Sequence, residues 1–116
     1  MFSKQHRLGK TTDVQRVFAQ GRAFFNPVFT IKFLAKPGQL ARFTVVASAK
    51  VSKSAVRRNR LKRLVREFIQ TRMEKFKPGD YAVVLKPAAA RRDEKQLIIS
   101  LGELCKNSRI MSIPIN

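Results

Sequence analysis

Carboxylates are scarce in this chain: seven Asp and Glu stand against 25 Lys and Arg in 116 residues. Trp is absent, and there is one Tyr, one His and one Cys. The lone Cys105 excludes an internal disulfide framework and a cysteine-ligated zinc site; it reads as a small core residue. The lone His6 lies far in sequence from any candidate nucleophile and is expected to be exposed. No apolar run exceeds a few residues, so no segment reads as a membrane span. The opening MFSKQHRLGK lacks the apolar stretch of a secretory signal. The expectation is a soluble, cytoplasmic chain forming one domain over residues 1–116.

What is present is positive charge and enough apolar material for a core. The formal charge is +18, with 44% apolar residues and nine Phe. So large an excess on so small a body repels itself and calls for an anionic partner, nucleic acid first and an anionic membrane second. The excess is unevenly placed. Between Asp13 and Glu67 there is no carboxylate in 53 residues, which carry 13 Lys and Arg. The densest block, Lys50–Arg66, holds eight basic residues in 17. A salt-bridged, merely solvated surface would mix the signs.

Hydrophobic periodicity predicts a small α+β fold. Thr11-Thr12-Asp13 can cap a short helix with Val14, Val17 and Phe18 on one side and Gly21 as its stop. Phe29, Ile31 and Phe33 alternate with Val28, Thr30 and Lys32 as a strand. Lys36-Pro37-Gly38-Gln39 has turn chemistry, and Arg42–Ser48 reads as the returning strand of a hairpin. A helix is expected from Ala55 to about Phe76, with Leu61, Leu64, Val65 and Phe68 as its buried stripe. Asp80–Lys86 reads as a buried strand and Ala88 to about Asn107 as a last helix. Phe24 and Phe25 read equally well as core residues or as the border of a cleft, and the apolar tail 110–116 has no assignment.

At about 100° per residue, the central helix places Asn59, Lys62, Arg63 and Arg66 opposite its apolar stripe, with Arg58 and Arg60 flanking. Guanidinium groups grip phosphate oxygens bidentately, and an amide can both donate to and accept from a sugar or base edge. Lys50 and Lys53 precede the helix N-terminus, where free N–H groups also favour phosphate. Glu67, Glu74, Glu103, Asp93 and Glu94 lie on predicted helices. The basic half therefore lacks the converging carboxylates of a two-metal nuclease.

The run Ser54-Ala55-Val56-Arg57-Arg58-Asn59-Arg60-Leu61-Lys62-Arg63-Leu64-Val65-Arg66-Glu67 resembles the signature of the bacterial ribonuclease P protein family. Arg7-Leu8, Val17-Phe18-x-x-Gly21, Phe43–Ser48 and Asp80–Val84 resemble further family segments, in order, over about residues 7–107. The resemblance implies a left-handed βαβ crossover, an exception to the usual handedness. It implies a protein that binds a catalytic RNA and the 5′ leader of precursor tRNA while the RNA, with magnesium, removes that leader. No catalytic residue, no protein-held metal, no membrane and no obligate protein partner are expected. By position, Lys50, Lys53, Arg57, Arg58, Asn59, Arg60, Lys62, Arg63 and Arg66 become contacts to the catalytic RNA, and Val14, Phe18 and Lys32 contacts to the leader. Val14 stands where the family often has Phe, and Lys32 where a Tyr can occur. Ser48-Ala49-Lys50 replaces the usual Ser-Lys-Lys. The alternative is a general basic RNA-binding or ribosome-associated protein without a catalytic RNA partner.

Overall fold

The structure, a computed structural model, describes residues 2–112. In chain order it contains α1 (Thr11–Gln20), β1 (Arg22–Phe25), β2 (Phe29–Ala35), β3 (Arg42–Ala47), α2 (Ala55–Thr71), β4 (Gly79–Leu85) and α3 (Glu94–Asn107). Short 3-10 turns occupy Lys4–His6, Met73–Lys75 and Pro87–Arg91. The strands form one mixed sheet in the order β1-β2-β4-β3. β4 runs antiparallel to β2 and parallel to β3, so β3, α2 and β4 make a βαβ crossover.

The expected hairpin between the strands at 29–35 and 42–47 does not form, because β4 lies between them. The reason lies in composition. Tyr81-Ala82-Val83-Val84-Leu85 is apolar on both faces and nearly all buried, which suits a strand with neighbours on both sides. β2 and β3 alternate and can each leave one face less covered. The true hairpin is β1–β2, turned at Asn26-Pro27. Asn26 Oδ1 accepts from the backbone N–H groups of Val28 (2.9 Å) and Phe29 (2.8 Å), the side-chain mimic of a backbone turn. Its amide also donates to Ser100 on α3 at 3.0 Å.

Residues directly opposite one another share a face, so register sorts the sheet. Phe24, Ile31, Val83 and Val45 line one face, as do Phe33, Tyr81 and Phe43. This face holds the main core with Leu61, Val65, Phe68 and Ile69 of α2 and Leu97, Leu101, Leu104 and Cys105 of α3. The α2 stripe is therefore Leu61, Val65, Phe68 and Ile69; Leu64 is only half-buried at its edge. α1 covers part of the other face through Val17, buried against Leu8 and Ala82, with Val14 and Leu34 alongside.

Helix ends also differ from the expected ones. Ser54 caps α2 by accepting from the Arg57 N–H at 3.2 Å. α2 stops at Thr71 rather than near Phe76, and the following 3-10 turn swings Phe76 edge-on against Phe43 and Tyr81. α3 begins at Glu94 rather than Ala88. Asp93 and Gln96 form a reciprocal capping box there, and Pro87 opens a separate 3-10 turn. Gly21 does end α1, for reasons of space: a Cβ there would lie 2.5 Å from the Val17 carbonyl oxygen and 3.1 Å from that of Phe33. Gly79, at φ +149°, would meet Leu34 O at 2.5 Å. Of the unassigned tail, Ile110 and Met111 are buried, Lys77 N–H donates to Ile110 O (2.9 Å), and Met111 bridges to Phe76. Residues 113–116 lie outside the described residues.

Candidate nucleic-acid interface

The outer face of α2 carries Asn59 and Arg63 exposed, with Lys62 and Arg66 half-buried beside them. None of the four makes an ion pair among the described residues. The Lys62 ammonium is held below its ordinary pKa by burial and by the neighbouring charges of Arg66 and Arg58. An arriving phosphate would relieve that repulsion. Arg66 leans toward the N-terminal arm, where it lines a cavity of about 340 Å³ with Arg7, Phe43 and Thr44.

The remaining basic residues of the motif are tied down, which sequence spacing could not show. Arg58 is half-buried and donates to the Ser52 carbonyl at 2.8 Å, so it braces the loop before α2 rather than standing free on the ridge. Arg57 donates to the Ala90 carbonyl at 2.6 Å. Arg60 donates through Nε to Glu94 Oε1 at 3.0 Å. Both reach toward the start of α3, on the flank opposite Arg58. Lys50 and Lys53 are exposed in the loop 48–54, which buried Val51 anchors.

The second surface is the part of the sheet that α1 leaves uncovered. Lys32 stands opposite Ala82, which stands opposite Thr44. One step along, Phe25, Thr30, Val84 and Val46 form a row across all four strands. Lys32, Thr30, Thr44, Val46 and Val84 are half-buried. Val14 is half-buried on α1, and Phe18 is 39% exposed, so Phe18 belongs to the surface and only Val17 of this helix to the core. The structure thus brings Val14 and Lys32 to the same side of the sheet. Phe24 and Phe25 divide: Phe24 packs on the main core, whereas Phe25 is 71% exposed on the α1 side. The signal for Phe25 was the β2 alternation, which assigns a face once the β1 register is known.

At the other end of this face sits the one buried charged residue among the described residues, Asp80, 1% exposed. Arg42 grips both its oxygens at 2.8 Å, and Lys36 Nζ lies 2.7 Å away. Burial alone would raise the Asp80 pKa; the hydrogen bonds and charges of Arg42 and Lys36 outweigh it and hold the carboxyl below its ordinary range. Arg42 also reaches Asp13 of α1 at 3.6 Å, tying that helix to the sheet. Asp80 is thereby spent on structure. His6, contrary to its expected exposure, is half-buried with Nδ1 2.7 Å from the Ala41 carbonyl oxygen. Cys105 is buried, its thiol pushed up to about 12 by desolvation.

Comparison with known proteins decides the family. The Ribonuclease P family model matches residues 2–109. The chain belongs to the ribonuclease P protein family. It is 34% identical to the ribonuclease P protein component of Halalkalibacterium halodurans over 110 residues, 93% of this chain and 92% of that one. It is 35% identical to that of Chromobacterium violaceum over 105 residues, 89% and 85% of the two chains. The fold superposes on the Staphylococcus aureus RNase P protein with a TM-score of 0.87 at 24% identity, covering 94% of this chain and all of that one. On the Thermotoga maritima RNase P protein the TM-score is 0.77 at 27% identity, covering 87% and 96%. Membership makes the chain the protein part of an endoribonuclease holoenzyme whose other part is an RNA. No helix among the described residues is long and apolar enough to cross a membrane.

Proposed function

We propose that this chain binds the ribonuclease P RNA through the outer face of α2 and the loop carrying Lys50 and Lys53, and the 5′ leader of precursor tRNA across the uncovered sheet face. The observation that carries the reading is the meeting of two cation-bearing surfaces at the β3–α2 loop, within the stretch from Val14 to Arg66 that contains no carboxylate. One is a rigid cationic helix face, suited to a structured phosphate backbone. The other is a shallow face with Phe18, Phe25 and Lys32, suited to unpaired bases and their phosphates.

The protein's own donor set does not fit a divalent metal. Among the described residues no three His, Cys, Asp or Glu side chains cluster, and Asp80 is saturated by two cations. Magnesium accordingly belongs to the RNA in this reading, and the protein's part is to supply fixed cations and hold the leader. Fixed cations replace part of the counterion atmosphere that a folded RNA otherwise draws from solution. Adding the protein to a bacterial ribonuclease P RNA should therefore lower the magnesium concentration at which precursor tRNA is cut. Cleavage assayed across a magnesium series, with and without protein, checks this. An unchanged requirement, or no binding to the RNA, overturns the reading.

A further inference from the structure

Phe25 is the most exposed aromatic of the sheet. It lies on β1, an edge strand, opposite Thr30 and diagonal to Lys32, a separation of about 7–8 Å. Lys86, just past the end of β4, places its ammonium 5.5 Å from the centre of the Phe25 ring. The same ammonium donates to the Asn26 carbonyl at 2.9 Å, which holds it in place. The ring therefore has one cation over one of its faces, Lys32 one diagonal step away, and its remaining surface open. From Phe25 the row continues over Thr30 and Val84 to Val46. Three strand spacings give it a span of about 14 Å, and it leads into the loop bearing Lys50. No carboxylate lies in this row.

We infer that Phe25 and Lys86 form a stacking site at the β1 edge for an unpaired base of the leader, with Lys86 positioned for the adjoining phosphate. The inference rests on the proposed leader-binding reading and extends it to residues outside the sequence motif. The chemistry favours single-stranded RNA over an apolar partner, because the exposed ring is isolated among cations and threonine rather than set in an apolar patch. Base stacking on an aromatic tolerates any base identity, so this site would act on leaders without selecting their sequence. It also supplies a stacking surface where Val14 and Lys32 provide none.

The test uses the assembled holoenzyme and three ligands: mature tRNA, precursor with a two-nucleotide leader and precursor with a ten-nucleotide leader. Phe25→Ala should weaken the long-leader precursor by roughly 5- to 100-fold and leave mature tRNA unchanged. Phe25→Tyr should restore binding, and Phe25→Leu should behave as Phe25→Ala. An equal loss for all three ligands, no loss for any, or full activity of the Leu variant would overturn the stacking site. So would a change in the sedimentation mass of the free protein on Phe25→Ala, which would assign the ring to a contact between copies. If the wild-type holoenzyme itself fails to distinguish precursor from mature tRNA, the leader reading falls first, and that outcome is separate from an unresponsive Phe25.

Discussion

Asp80 is a carboxylate placed where the positive charge of the chain would otherwise repel itself most directly. Arg42 and Lys36 converge on it at 2.7–2.8 Å, and Asp13 adds a weaker contact to Arg42. Removing the charge leaves two cations facing each other beneath α1. Asp80→Asn should cost about 3–4 kcal/mol, the lower part of the range for a broken buried pair because both cations retain some water. Because the folded carboxyl titrates below its ordinary range, its contribution is complete above the unfolded value, about 3.9. It is lost as pH falls through the lower folded value. Urea unfolding at a series of pH values should show wild type and variant differing most near neutrality and converging in acid. A constant difference down to pH 2 would contradict the ion-pair account.

At the scale of an element, α2 is a helix with three sides. Leu61, Val65, Phe68 and Ile69 fill the core. Arg57 and Arg60 turn toward the start of α3, while Arg58 braces the preceding loop. Asn59 and Arg63 are left facing outward. Substitutions should separate accordingly. Leu61→Ala should lower stability by about 2–5 kcal/mol. Arg63→Ala should leave the fold intact, weaken RNA binding and flatten its salt dependence by slightly less than one unit. Glu94→Gln releases Arg60 from an exposed ion pair and should strengthen RNA binding a few-fold, since such pairs contribute only about 0.2–1 kcal/mol. Thermal melts beside RNA titrations check all three. A melting loss for Arg63→Ala with affinity unchanged would reverse the facing of this helix.

For the molecule as a whole, a charge of +18 sets folding and binding against each other. Added salt screens self-repulsion in the free protein and displaces protein from RNA by opposing counterion release. Raising sodium chloride from about 50 to 300 mM, over which the Debye length shrinks to well under 10 Å, should therefore raise the melting temperature of the free protein. The same change should lower its RNA affinity. Melting and binding measured in the same buffers test this, and a parallel fall in both would show that surface ion pairs, not repulsion, dominate the free state.

Much of this protein could be read from local pattern. Phe29, Ile31 and Phe33 announce a strand by alternation, Leu61, Val65 and Phe68 a helix by spacing, and the carboxylate-free stretch an anionic partner by charge. These are short-range signals, set by the periods of the backbone and by composition. The capping box at Asp93 and Gln96 was equally local and would have corrected the start of α3. Which strands pair is another matter. Nothing near Lys36–Gln39 says that β4, more than thirty residues on, will insert between β2 and β3; that follows from competition for the one site able to bury both faces of a strand. The same long-range choice brings Asp80 beneath Arg42. It also sets Phe24 in the core and Phe25 in the open. Adjacent residues on a strand point to opposite faces, and only the register of the assembled sheet decides which face is covered.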